Sequence, residues 1–426
     1  MADWHPMWED LGVSLKCHDE LIEVLGKAYE RFFLSRANRP KAMEYFDFVV
    51  SEAHGLRIKE LLEFKERGGF VLGTFCVYVP DEVVTAAGGL AVGLCGGAQI
   101  SIPFAESVLP RNICPLIKSA FGFKVGRICP YFEAADLLVG ETTCDGKKKT
   151  WEILNDYKET ETLVVPHRKD EAGRALWRGE VRRFAAMLDE RFGAVPSLAR
   201  LKEAAELHNR KRAALEALYE ARKAVPTPIA GLDALLAAQI VYYDDAERFT
   251  RKVEELAGEV RARAGDGVGV TENGERARIL IAGAPMALPN WKLHALIEGL
   301  GAVVVCEELC TGTRYFHNGR VDLSGARSVD EALDTIADRY LSIPCACFTP
   351  NRERLESILE LVRAYKVDGV VQHVLSFCHD YALEAVRIER ALKEHDVPVL
   401  TVETDYSDDT GQLRTRLEAF LEMLEK

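Results

Sequence analysis

FVLGTFCVYVPDEVVTAAGGLAVGLC, residues 70–95, decides the fold class. Its opening run, 70–79, is short and apolar and reads as a buried strand. Pro80 then opens a helix, with Asp81 and Glu82 in the first turn, where acids suit the positive helix end. AVGLC, residues 91–95, is a second apolar run and a second strand. Strand, helix and strand in that order make a unit whose two strands lie parallel.

The same grammar continues downstream. CPLIKSAFGF (114–123) reads as a helix with Pro115 at its first position, DLLVGE (136–141) as a strand, and LVVP (163–166) as another, with a helix after TTCDGKKK between them. A second series starts at ARILIAGAPM (277–286) and continues through AVVVCEE (302–308), GVVQHVLSF (369–377) and VPVLTVETD (397–405), each followed by a helical stretch. The order of elements repeats, although no residue-level repeat is visible. The expected fold is α/β: two Rossmann-like, parallel-sheet domains facing across a cleft. The expected divisions are a helical N-terminal segment (1–67), a first α/β domain (68–175), a helical insertion or lid (176–272) and a second α/β domain (273–426). The Arg/Lys-rich run 209–223 has acids interleaved and reads as a solvated helix face.

Bulk properties narrow the class. The 426 residues carry a net charge of −13, which disfavours a nucleic-acid partner or an anionic membrane surface. No apolar run of about 18 residues is present. The opening MADWHPMWEDLG lacks the basic start and apolar core of a secretory signal, so a cytoplasmic location is expected. Eleven cysteines in such a compartment should be mostly reduced, and an odd number cannot pair completely. The paired CxxC…CxxC spacing of structural zinc sites is missing.

The cysteines instead fall at corresponding points of the two halves. Cys95, Cys114 and Cys144 belong to the first; Cys310, Cys345 and Cys378 belong to the second. Cys95, Cys144, Cys310 and Cys378 follow predicted strands, and open parallel sheets bind ligands outside the carboxyl ends of their strands. Cys144 and Cys378 also sit where helices begin, and there free N–H groups favour a thiolate. Soft thiolates gathered from separate loops suit a multi-iron cofactor. Cys17, Cys76 and Cys306 read as packing residues, while Cys129 and Cys347 are reserves able to replace Cys95 or Cys310. His373 and Ser376 are weaker candidates for polar groups beside an open iron. Lys147, Lys148 and Lys149 read equally as a solvated first helical turn or as a cationic rim. GLCGG and AAGGL are not GxGxxG, and no P-loop is present.

Four stretches carry a resemblance: FCVYVPDEVVTAAG, LPRNICPLIKSAFGF, CPYFEAADLLVGETTCDGKKK and the closing TVETDYSDDTGQLRTRLEAFLEML. Over about residues 70–426 the chain resembles the 2-hydroxyacyl-CoA dehydratase D-component and benzoyl-CoA reductase superfamily. That resemblance implies a [4Fe–4S] cluster on Cys114, Cys144 and Cys378. The additional Cys95, Cys310 and Cys345 are similar to those of the superfamily's double-cubane proteins, which implies an [8Fe–9S] cofactor on all six. The implied activity is ATP-dependent, low-potential reduction of small molecules, with electrons from a separate homodimeric activator ATPase and this chain as a homodimer. Two alternatives stay open: a 2-hydroxyacyl-CoA dehydratase subunit with one [4Fe–4S] cluster, and a non-catalytic iron–sulfur carrier.

Overall fold

The structure, a computed structural model, describes residues 3–271, 274–317 and 319–425. The expected 272/273 division lies outside the described residues. Two four-stranded, all-parallel sheets organise the chain. The first contains β1 (Phe70–Thr74), β2 (Gly89–Gly93), β3 (Leu137–Glu141) and β4 (Thr160–Leu163) in the order β2-β1-β3-β4. The second contains β5 (Arg278–Gly283), β6 (Val303–Glu308), β7 (Gly369–Leu375) and β8 (Val399–Thr404) in the order β6-β5-β7-β8. The two orders are the same pattern, and the α/β class read from the sequence is the one observed. In each sheet the order reverses beside the first strand, at β1/β3 and at β5/β7, which is where such sheets leave a crevice.

The strands follow from composition. β1, β3, β5, β6 and β7 are buried along their whole length, as parallel strands covered on both faces must be. Several boundaries differ from the reading: β2 starts two residues before the expected 91–95, β4 meets the expected 163–166 only at Leu163, and β1 is half as long as its apolar run. The run 70–79 leaves the sheet after Thr74, because β1 pairs with β2 only from Phe70 to Thr74 and with β3 only from Leu72 to Thr74. Residues 75–79 therefore turn out of the sheet, and Cys76 goes with them. At the end of β5, Gly283 takes φ 136°, and a Cβ there would lie 2.0 Å from the carbonyl oxygen of His373. Only glycine lets β5 approach β7 so closely before the chain turns away.

Four helices fill the middle of the chain: Glu171–Phe192, Leu198–Ala221, Gly231–Ile240 and Ala246–Gly265. Helix Gly231–Ile240 is buried at every position, and its sequence, apolar but for Asp233 and Gln239, gives no amphipathic period to read. Helix Leu198–Ala221 touches both halves. Arg212 pairs with buried Glu82 near β2, and Arg222, just past the helix, pairs with buried Glu307 of β6 through two bonds of 2.7 Å. Tyr219 donates to the same Glu307 carboxylate at 2.6 Å. The run 209–223 is thus not a solvated face throughout: Lys211, Arg212 and Arg222 are buried because carboxylates and aromatic rings from both halves wait for them. Among the described residues no helix is long and apolar enough to cross a membrane.

Candidate functional site

Several strand ends converge on one place. Cys76 comes two residues after β1, Cys144 three after β3, Cys310 two after β6 and Cys378 three after β7. Cys114 precedes helix Pro115–Val125, and Cys345 and Cys347 lie in the loop before helix Arg352–Ala364. These seven cysteines line a single cavity of about 380 Å³ between the two sheets. Every one is a free thiol.

Helix starts hold three of them. Cys114, Cys144 and Cys378 occupy the N-cap positions of helices Pro115–Val125, Asp145–Leu154 and His379–Glu394. The Cys144 Sγ accepts a hydrogen bond from the Lys147 backbone N–H at 3.4 Å. Gly146 in the same turn faces the tip of the Ile117 side chain, which a Cβ there would meet at 2.9 Å. The Cys114 thiol is lowered from its ordinary pKa by a hydrogen bond from Cys378, helped by the backbone N–H groups of Leu116 and Ile117. Its partner Cys378 is pushed up by the same bond and by burial. Cys144 is raised by burial, against the pull of the Lys147 ammonium.

The other four pair thiol to thiol, with side-chain charge in support. A hydrogen bond from Cys76 lowers the Cys310 thiol, and one from Cys347 lowers Cys345; the Arg314 guanidinium helps both. The donors Cys76 and Cys347 are raised in turn. Arg314 is buried beneath the cavity, 3.2 Å from the Glu308 carboxylate, and donates to the Tyr381 hydroxyl. Arg354 holds the other side of Glu308 at 2.8 Å. The Tyr381 hydroxyl lies 3.9 Å from the Cys345 sulfur. Lys147, expected in a solvated or rim position, is buried instead and paired with buried Glu141, while Lys148 and Lys149 are exposed.

The mouth is less regular. Phe377 takes φ 61°, a left-handed backbone that a bulky side chain rarely adopts, and its ring is exposed beside Cys378. Asp380, in the first turn of the following helix, is pushed up to about 6 by burial and by the nearby Cys345 and Asp145 charges.

Of the sequence candidates, Cys114, Cys144, Cys310, Cys345 and Cys378 meet at this cavity, and so does the reserve Cys347. Cys95 does not. Its thiol donates to the Phe75 carbonyl at 2.7 Å, burial pushes its pKa up to about 12, and it faces a neighbouring, smaller cavity. Cys129 faces a third cavity, with its thiol likewise pushed up to about 12 by burial. His373 is buried in the second sheet, its ring nitrogens engaged by the Ala284 carbonyl at 3.1 Å and the Thr404 hydroxyl at 2.8 Å. Ser376 turns to the Thr404 carbonyl at 3.4 Å. Cys76, read as core, lines the site because β1 ends earlier than its apolar run. In the structure Cys76 stands at the same short distance past its strand as Cys310 does past β6, a placement that the unbroken apolar run 70–79 conceals.

Among the described residues, no three His, Cys, Asp or Glu side chains close tightly enough to hold a single metal ion. The thiols surround a space instead, which is the arrangement a multinuclear centre requires. An iron–sulfur cluster fits this donor set: soft, free thiols, three of them at the positive ends of helices, with two buried cations beside them.

Comparison with known proteins agrees with the geometry. A protein of Escherichia coli (strain K12) named "Putative dehydratase subunit YjiM" is 39% identical over 378 residues, covering 88% of this chain and 96% of that one. The (R)-phenyllactyl-CoA dehydratase beta subunit of Clostridium sporogenes is 21% identical, covering 91% of this chain and 100% of its own. A benzoyl-CoA reductase subunit of Thauera aromatica is 22% identical, covering 81% of this chain and 87% of its own. The family model described as 2-hydroxyglutaryl-CoA dehydratase, D-component, matches residues 76–424, from the first cavity cysteine almost to the end, and the chain belongs to that family.

Proposed function

We propose that this chain is the cluster-bearing component of an ATP-dependent reductase, taking low-potential electrons from a separate, homodimeric activator ATPase and working as a homodimer in the cytoplasm. The observation that carries the reading is seven free thiols on one cavity, more than a single cubane can use. Cys114, Cys144 and Cys378 form the helix-start group that would hold one cubane. Cys76, Cys310 and Cys345 form the group that would hold a second, with Cys347 in reserve, so that Cys76 takes the place expected of Cys95. When bound, an [8Fe–9S] double-cubane supplies low-potential electrons and an iron site for a substrate. The chain's own residues do the rest. Helix N–H groups, Arg314 and Lys147 stabilise negative charge on the thiolates. Asp380 lines the same cavity, with its carboxyl raised to about 6, so that it would take up a proton more readily than an ordinary aspartate.

Iron and sulfide analysis after anaerobic purification tests the proposal. About eight irons per chain are expected. About four would favour the second reading, a 2-hydroxyacyl-CoA dehydratase subunit with one [4Fe–4S] cluster, to which the self-contained group of Cys114, Cys144 and Cys378 lends support. Iron-free protein would sink both. ATP-dependent turnover with an activator separates an enzyme from an iron–sulfur carrier.

A further inference from the structure

Beside the cysteine-lined cavity lie two smaller ones, of about 60 Å³ and about 90 Å³. The first shares Cys76, Lys147, Pro285 and Cys310 with the large cavity. The second shares Gly93, Cys95, Tyr243 and Leu288 with the first. It ends among Leu25, Val49, Val50 and Ala53, half-buried residues of the N-terminal helices. Three neighbouring spaces with common lining residues therefore lie between those helices and the thiols.

The polar groups on the two small cavities are already engaged. Tyr242 donates to the Cys310 carbonyl and Tyr243 to the Cys95 carbonyl at 3.2 Å. Gln239 donates to the Met286 carbonyl at 2.7 Å and accepts from the Trp291 ring N–H at 2.9 Å. Cys95 is bonded to Phe75, Lys147 to Glu141, and His54 to His18. A guest would meet walls that offer it few free donors or acceptors. Each space exceeds the roughly 30 Å³ of one liquid water and falls short of the roughly 150 Å³ that admits benzene, and apolar cavities stay dry and take small apolar guests. A charged molecule would lose its hydration with nothing to replace it.

We infer that the two small cavities are a binding and access route for a small uncharged molecule of about two to four non-hydrogen atoms, entering from the N-terminal helices and separate from the mouth beside Phe377. Only what the guest meets at the inner end rests on the cluster reading. Leu288 stands in the wall common to both small cavities and is the natural gate.

Crystals of the full chain pressurised with xenon test the route. Xenon is expected in both cavities of the unaltered protein, and Leu288→Trp should displace it. Val50→Trp, at the outer end, gives a second obstruction should the first variant fail to fold. Absence of xenon from both cavities overturns the route, whatever the iron content. Xenon in both cavities of an iron-free chain supports the route while removing the cluster reading. In iron-loaded enzyme, Leu288→Trp should raise KM for a small uncharged acceptor about tenfold, with kcat and iron content unchanged. An unchanged KM overturns the access role.

Discussion

The cavity's two groups of thiols do the same electrostatic work by different means. Cys114, Cys144 and Cys378 stand at helix starts, so backbone N–H groups face them. Cys310 and Cys345 stand at no such helix start and depend on hydrogen bonds from Cys76 and Cys347, with help from the buried Arg314 guanidinium. A helix start is fixed once the fold forms and cannot be removed by one substitution. A buried arginine can, and it brings its own carboxylate, Glu308, which must be neutralised whether or not a cluster is present. The first group is built into the architecture; the second hangs on a side-chain network.

The largest effect should come from that network. Arg314→Met leaves Glu308 with Arg354 alone and is expected to cost about 3–5 kcal/mol of stability in chemical denaturation of the iron-free chain. A loss below about 1 kcal/mol, the size expected of an exposed pair, would erase the distinction between the groups.

Acid should act on the framework before it acts on either group. Burial raises Glu82, but the Arg212 charge outweighs it and holds the carboxyl at about 2, against an ordinary 4.5. The folded value is the lower one, so this stabilisation is full above 4.5 and is lost as pH falls from 4.5 toward 2. Thermal unfolding measured across that window should show a fall that Glu82→Gln reduces. A pH dependence identical in the variant would remove Glu82 from the account.

Gly283→Ala sharpens the comparison at the wall of the second sheet. The added Cβ meets the His373 carbonyl at 2.0 Å, and the expected loss is about 1–3 kcal/mol by denaturation. Cys144→Ala and Cys310→Ala probe the groups themselves. Each should leave the stability of the iron-free chain within about 1 kcal/mol and, on the proposed double-cubane assignment, lower iron by about half, since each would remove a ligand from only one cubane. Complete loss of iron from either variant would merge the two groups into one. Cys95→Ala, the smallest change, should leave iron content as it was.

Much of the framework was legible because parallel strands covered on both faces are short apolar runs, as β1, β3, β5, β6 and β7 are; β4, half-buried and reading TETL, meets its expected run only at Leu163. The helix-start thiols were legible for a local reason: Cys-Pro and Cys-Asp-Gly carry the chemistry of a helix beginning. Cys76 was not, because its neighbours stay apolar after β1 loses its partners, and hydrogen-bond partners lie elsewhere in the chain. Cys95 looked equivalent to Cys310 from its place after a strand, but the sequence does not say which way a loop turns. Arg314 was invisible as a partner of the site, since its carboxylate and its thiols come from separate segments.

The two arginines of helix Leu198–Ala221 and its cap, one on Glu82 and one on Glu307, have a mechanical meaning. They make the C-terminal half of the helix a strut fixed to opposite banks of the crevice. Swinging the banks apart would strand two carboxylates in a dry interior, a far larger penalty than a hinge tolerates. The spacing of the two cysteine-bearing banks is thus set by the framework and is expected to stay the same whatever the crevice holds.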